Sequence, residues 1–181
     1  MSKMLSNGSG FPPTTTGEKT MKLYVGTYNK YNNGSIQGAW IDLTKYTDKY
    51  DFYNACAELH KDESDPEFMF QDFEGFPKDL YSESGNIDAI YEYIDFVNET
   101  HLNQEAVDAG LSLGIPLGKL EDAYHGQFDN DTDLAYEFIE STGLLHGVPD
   151  SITNYFDYEA FGRDLAMDFI TDNGFYFFAN Y

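Results

Sequence analysis

Positive charge is what this sequence has least of. Arginine occurs once, at Arg163, and 10 lysines and arginines face 32 aspartates and glutamates, for a formal net charge of -22 over 181 residues. A surface of that sign repels nucleic acid and anionic membranes, which excludes direct nucleic-acid binding and leaves metal cations or proteins with basic grooves as partners. Cysteine is nearly absent too. Cys56 stands alone, which excludes an internal disulfide framework and suits a reducing cytoplasm. No stretch approaches about 18 consecutive apolar residues, so no membrane helix is expected. Residues 1–20 are rich in Ser, Gly, Thr and Pro without an apolar run of signal-peptide length, and they read as a flexible leader.

Motifs of catalysis are missing as well. His60, His101, His125 and His146 form no HExxH or comparable ligand spacing, Cys56 has no nucleophile signature around it, and neither a P-loop nor a dinucleotide fingerprint occurs. A carboxylate pair suited to glycoside hydrolysis carries no specificity when 32 acidic residues are available to form one by chance. The chain therefore reads as a non-enzyme with no cofactor and no resident metal.

Aromatic residues are abundant. Fifteen Phe and fifteen Tyr lie within a 41% hydrophobic composition, and each buried ring removes roughly 150–250 Å² from water, enough to offset the repulsion of a highly charged compact state. Asp and Glu are interleaved with Tyr, Phe, Ile and Leu from Asp42 to Asp172 rather than gathered in a tail, so the charge belongs to a folded surface.

Periodicity sorts the chain into three sections after the leader. In residues 21–84, KLYVGTY from Lys22 alternates like a strand, Asn33-Gly34 marks a turn, and Gln37–Leu43 returns as a second strand. Asp48–His60 carries Phe52, Ala55, Cys56 and Leu59 at helical spacing, and Glu67–Phe73 reads as a strand, giving an α+β unit. Residues 85–119 form a helical unit, with helices at Ile87–Glu99 and Asn103–Leu113 before Gly114 and Pro116. Residues 120–181 form a second α+β unit. It contains a strand at Leu120–Phe128, a helix at Asp131–Thr142 stopped by Gly143, and a final hairpin turning at Asp172-Asn173-Gly174.

The acidic residues on two helices form unmixed stripes. Asp88, Glu92, Asp95 and Glu99 recur at i, i+4, i+7 and i+11 opposite Ile90, Ile94 and Val97. They span roughly 16 Å at about 1.5 Å per residue, a length in which one DNA strand sets about five phosphates. Asp133, Glu137 and Glu140 repeat the pattern, with Asp129 and Asp131 just ahead of them. Any solvated amphipathic helix has a charged face, but ordinary ones mix in Lys to gain i,i+4 pairs. These have none.

Two segments carry a family resemblance. Tyr24-Val25-Gly26-Thr27-Tyr28-Asn29-Lys30-Tyr31-Asn32, with Gly34 and Gly38-Ala39-Trp40, resembles the amino-terminal signature of the ArdA antirestriction family. Val148-Pro149 followed by Asn154-Tyr155-Phe156-Asp157-Tyr158-Glu159-Ala160-Phe161-Gly162-Arg163-Asp164-Leu165 resembles that family's antirestriction motif, with Glu140-Ser141-Thr142-Gly143 as a further step. The resemblance implies an elongated α+β chain of three subdomains that forms a homodimer through its carboxy-terminal part. It further implies surface carboxylates presented in place of DNA phosphates to the methyltransferase and specificity subunits of type I restriction-modification enzymes, in the cytoplasm of a bacterial host. Families of this kind are encoded on mobile elements and protect incoming DNA.

Within the motif, Asp157, Tyr158, Glu159, Phe161, Gly162, Arg163 and Asp164 are carried over. Asp157, Asp164 and Asp168 suit one helical face, whereas Gly162 weakens a helix by about 1 kcal/mol relative to Ala and reads as a turn. Arg163 reads as an ordering ion pair or a dimer contact, and Tyr158 and Phe161 as core or interface. The competing reading is an acidic calcium-binding module: Asp129, Asp131, Asp133 and Glu140 occupy positions 1, 3, 5 and 12 of an EF-hand loop, although Leu134 stands where the loop needs Gly. An acidic helix start capped by Asp131 or Thr132 accounts for the same residues.

Overall fold

Alternate burial along KLYVGT makes β1 (Lys22–Thr27) a strand with one face in the core, where Leu23 and Val25 lie. The computed structural model describes residues 20–181, and residues 1–19, where most of the expected leader falls, lie outside the described residues. Among the described residues the class is α+β as expected, with two three-stranded antiparallel sheets. The chain divides into two compact units after Gly75.

In the first unit β1 is central. It pairs on one side with β2 (Ala39–Asp42) and on the other with β3 (Phe68–Glu74). Between β1 and β2 runs a helical turn that the strand-turn-strand expectation missed, α1 (Tyr28–Asn32), whose cap Thr27 accepts a hydrogen bond from the Lys30 amide. Gly34 has the positive φ of 78° expected of the Asn-Gly pair, but Asn33 does not, so this is no minimal hairpin turn. Helix α2 (Lys49–Leu59) starts at Asp48, which accepts from the Tyr50 and Asp51 amides, and it buries Phe52 and Cys56. Phe52 meets Phe70 of β3 at 5.9 Å between ring centroids. Burial pushes the Cys56 thiol up to about 12, so it stays a small apolar core residue and not a nucleophile.

The second unit opens with α3 (Ile87–Glu99) and α4 (Gln104–Ser112). Helix α3 buries Ile87, Ile90, Tyr93, Ile94 and Val97, and the Tyr93 hydroxyl donates to Asp108 of α4. Next come α5 (Leu117–Ala123) and the strand β4 (Tyr124–Gln127). The strand expected from Leu120 is thus corrected in its first part: Pro116 opens a helix, and Leu120 and Ala123, three apart, are both fully buried on one face. Leu120, the expected first residue of a third section, therefore sits inside α5. Gly110 lets α4 approach closely, since a Cβ there would lie 2.1 Å from Leu120 Cδ2 and 3.1 Å from a Phe177 ring carbon.

Helix α6 (Asp131–Thr142) ends at Gly143 in the left-handed conformation, φ 65°, as expected. The short α7 (Asp150–Thr153) leads to α8 (Tyr158–Leu165), which packs along α6. Strands β5 (Phe169–Asp172) and β6 (Phe175–Phe178) form the expected final hairpin. Asn173 and Gly174 have φ of 50° and 79°, the paired positive values of a tight two-residue turn. The sheet order is β4-β6-β5, and β6 buries Phe175, Tyr176 and Phe177 beneath the helices.

Candidate partner-binding face

Charge is shared unequally between the two units. Residues 20–75 carry 10 acidic and 5 basic side chains, whereas residues 76–181 carry 21 and 3. In the first unit three of the five cations are engaged with carboxylates: Lys30 lies 2.9 Å from Asp62 and 3.5 Å from Glu63, Lys61 2.6 Å from Glu58, and Lys22 3.8 Å from Glu74. In the second, Lys78, Lys119 and Arg163 are all exposed, and none forms a salt bridge among the described residues. Its carboxylates are left largely uncancelled by lysine or arginine.

The α3 stripe forms as expected in its geometry. Asp88, Glu92, Asp95 and Glu99 are exposed, and the opposite face of the same helix is in the core. Helix α6 is more varied. Asp133, Glu137 and Glu140 are exposed on it, and Asp129 is exposed just before it. The cap is Asn130 rather than Asp131 or Thr132; its side-chain oxygen accepts from the Thr132 and Asp133 amides, and its amide donates to the Asp133 carboxylate. Asp131 is half-buried and accepts a 2.7 Å hydrogen bond from the Tyr176 hydroxyl. Burial first, then this bond to Asp131, pushes the Tyr176 phenol up to about 12. Glu137 Oε2 lies 3.4 Å from His125 Nε2 without a hydrogen bond, while the imidazole is boxed by Phe169 at 5.0 Å and Phe178 at 5.2 Å. His125 and Tyr176 are thus two neighbours of the stripe that no sequence spacing indicated.

The calcium-binding alternative is overturned by α6. A calcium loop needs its first positions in an irregular turn that aims oxygens inward, but Asp131, Asp133 and Glu140 are helical and Asp131 is committed to Tyr176. No group of three or more potential metal ligands converges among the described residues.

The antirestriction-motif residues divide by role. Asp157 caps α8 by accepting from the Ala160 amide at 2.9 Å. Tyr158 stacks on Tyr136 of α6 at 4.0 Å and 19° between ring planes, and Phe161 lies against Phe156 and Phe138 at 5.5 and 6.2 Å. Gly162 is no turn: it is buried inside α8, where a Cβ would stand 2.1 Å from the Asp131 carbonyl oxygen. The helix accepts glycine's conformational cost because only a residue without a side chain lets α8 lie against the first turn of α6. Glu159, Arg163 and Asp164 are exposed. The expected ion pair of Arg163 does not form within the described residues.

These features define a strongly acidic α+β protein whose recognisable motif is a helix-packing element with charged residues on its outer side. The family model described as antirestriction protein (ArdA) matches residues 23–177, and the chain belongs to that family. Its general function is antirestriction, directed at restriction enzymes. Comparison with curated protein sequences gives no match. No helix among the described residues is long and apolar enough to cross a membrane.

Proposed function

We propose that this protein is a DNA mimic: it occupies the DNA-binding groove formed by the methyltransferase and specificity subunits of a type I restriction-modification enzyme, with its exposed carboxylates standing where duplex phosphates would lie. The observation that carries this reading is the second unit, where 21 acidic side chains meet 3 basic ones that make no salt bridge among the described residues. Its excess of 18 negative charges equals that of about 31 Å of duplex at about 1.7 Å per charge, close to one helical turn. A homodimer joined through residues 120–181 would double that length.

Inhibition on this account is competitive occupancy, with no bond made or broken. The phosphate-equivalent groups are Asp88, Glu92, Asp95, Glu99, Asp129, Asp133, Glu137 and Glu140, while Asp131 acts through the fold. Long-range attraction speeds association and weakens as salt screens it. Arg163, exposed at the last turn of α8, is the motif's contribution to the dimer contact. The protein works in the host cytoplasm and requires no cofactor.

The experiment is a competition between this protein and a fluorescent duplex for a purified type I methyltransferase at low salt. Stoichiometric displacement of the duplex supports mimicry. Inhibition of cleavage while the duplex stays bound would reject it.

A further inference from the structure

The open face of the first sheet holds a cleft of about 530 Å³, lined by Lys22, Trp40, Ile41, Asp42, Lys45, Tyr46 and Glu74. The strand register builds it: Lys22 stands opposite Asp42 on one side and Glu74 on the other, while Trp40 is paired with Tyr24 one step along the same face. That volume falls within the range of small-molecule sites. Trp40 is the only tryptophan in the chain, is 40% exposed, and is held edge-on against the Tyr24 ring at 5.6 Å. An indole so braced offers a rigid flat surface to a planar ligand.

The polar groups of the cleft are not equally available. The Asp42 carboxylate already accepts from the Thr44 amide and hydroxyl, at 3.1 and 2.7 Å, and Glu74 is loosely paired with Lys22 at 3.8 Å. Lys45 forms no salt bridge among the described residues. Two aromatic side chains and two ammonium groups therefore border one hollow, in a chain that has few cations to place anywhere.

We propose that this cleft binds a planar heteroaromatic anion of mononucleotide size, with the ring against Trp40 and Tyr46 and the anionic group between Lys45 and Lys22. The four charged residues of the cleft sum to zero, so the ammonium groups of Lys22 and Lys45 offset the repulsion that Asp42 and Glu74 exert on an anion. At physiological ionic strength the Debye length of about 8 Å hides the more distant carboxylates. The proposal concerns a part of the chain that the mimicry reading does not use, and its test involves no restriction enzyme.

The test is titration of the intact protein with AMP, with adenosine and inorganic phosphate as separate probes, followed by Trp40 fluorescence and checked by calorimetry. The expected result is saturable binding of AMP with Kd below about 1 mM, and at least about tenfold weaker binding of either fragment alone. Lys45→Gln should weaken AMP binding by about tenfold while the melting temperature is unchanged, because the side chain is exposed and forms no salt bridge among the described residues. Absence of saturation by about 10 mM AMP, equal binding of adenosine, or indifference to Lys45→Gln would each overturn the proposal.

Discussion

The Tyr176 hydroxyl donates to the Asp131 carboxylate at 2.7 Å, tying the last strand to the first turn of α6. Tyr176→Phe removes the donor and leaves a half-buried carboxylate short of a partner, at an expected cost of about 1–2 kcal/mol read by urea denaturation. An unchanged midpoint would mean that Asp131 is satisfied by solvent.

Alkaline pH should weaken the fold through the same residue. Tyr176 holds its proton more tightly folded than unfolded, its value being raised from 10.0 to about 12. The stability this contributes is fully present below pH 10 and is lost as pH rises toward 12. Tyr93, pushed up by burial and then by its bond to Asp108, acts in the same direction. A stability-versus-pH curve should fall over that window, and Tyr176→Phe should flatten it.

Gly162→Ala sets two effects against each other. Alanine favours the helix by about 1 kcal/mol, but its Cβ would stand 2.1 Å from the Asp131 carbonyl, inside contact distance of backbone that cannot rotate away. Overpacking of this kind costs typically about 1–3 kcal/mol or more, so the variant should melt lower than the parent. A rise in melting temperature would place the α6–α8 contact elsewhere.

Thr27 is fully buried, caps α1, and donates to Glu63 Oε1 at 2.7 Å. That bond is the largest influence holding the Glu63 carboxyl below its ordinary value of 4.5. A lowered folded value gives stability that is present above pH 4.5 and lost as the medium acidifies through the folded value. Thr27→Val keeps the shape and deletes the oxygen, so it should destabilise at neutral pH and show a shallower acid limb in a pH series. An acid limb equal to the parent's would assign Glu63 to its other donors.

On α3, single changes among Asp88→Asn, Glu92→Gln, Asp95→Asn and Glu99→Gln should barely alter inhibition of a type I enzyme, whereas the quadruple variant should raise the half-inhibitory concentration by at least about tenfold. Helix content should not fall, since removing like-charged neighbours helps the helix by a few tenths of a kcal/mol per pair. Full potency in the quadruple variant would remove this stripe from the proposed contact.

Much of this fold is legible because the long elements mark themselves. Asp48, Gly143 and Asn173-Gly174 punctuate the chain chemically, and the apolar period of Ile87, Ile90, Ile94 and Val97 cannot fit a strand. Short elements escape. Helix α1 is five residues, too few to display a period, and α5 conceals itself because its seven residues bury only Leu120 and Ala123, a single i, i+3 step that is too short to establish a helical period. Gly162 reads as a turn in sequence but is helical for a deeper reason: its fitness depends on a carbonyl 31 residues away, and local propensity is blind to such a contact. Likewise spacing identifies which carboxylates share a helix face but not that Asp131 turns inward to a tyrosine near the chain's end.

Crowding so many like charges onto residues 76–181 gives sodium chloride two opposed effects. Dissolved ions quieten the mutual repulsion within that unit and so favour its folded form, yet they also mute the pull it exerts on a basic partner. Conditions that make this molecule hardest to melt should be those in which it inhibits least.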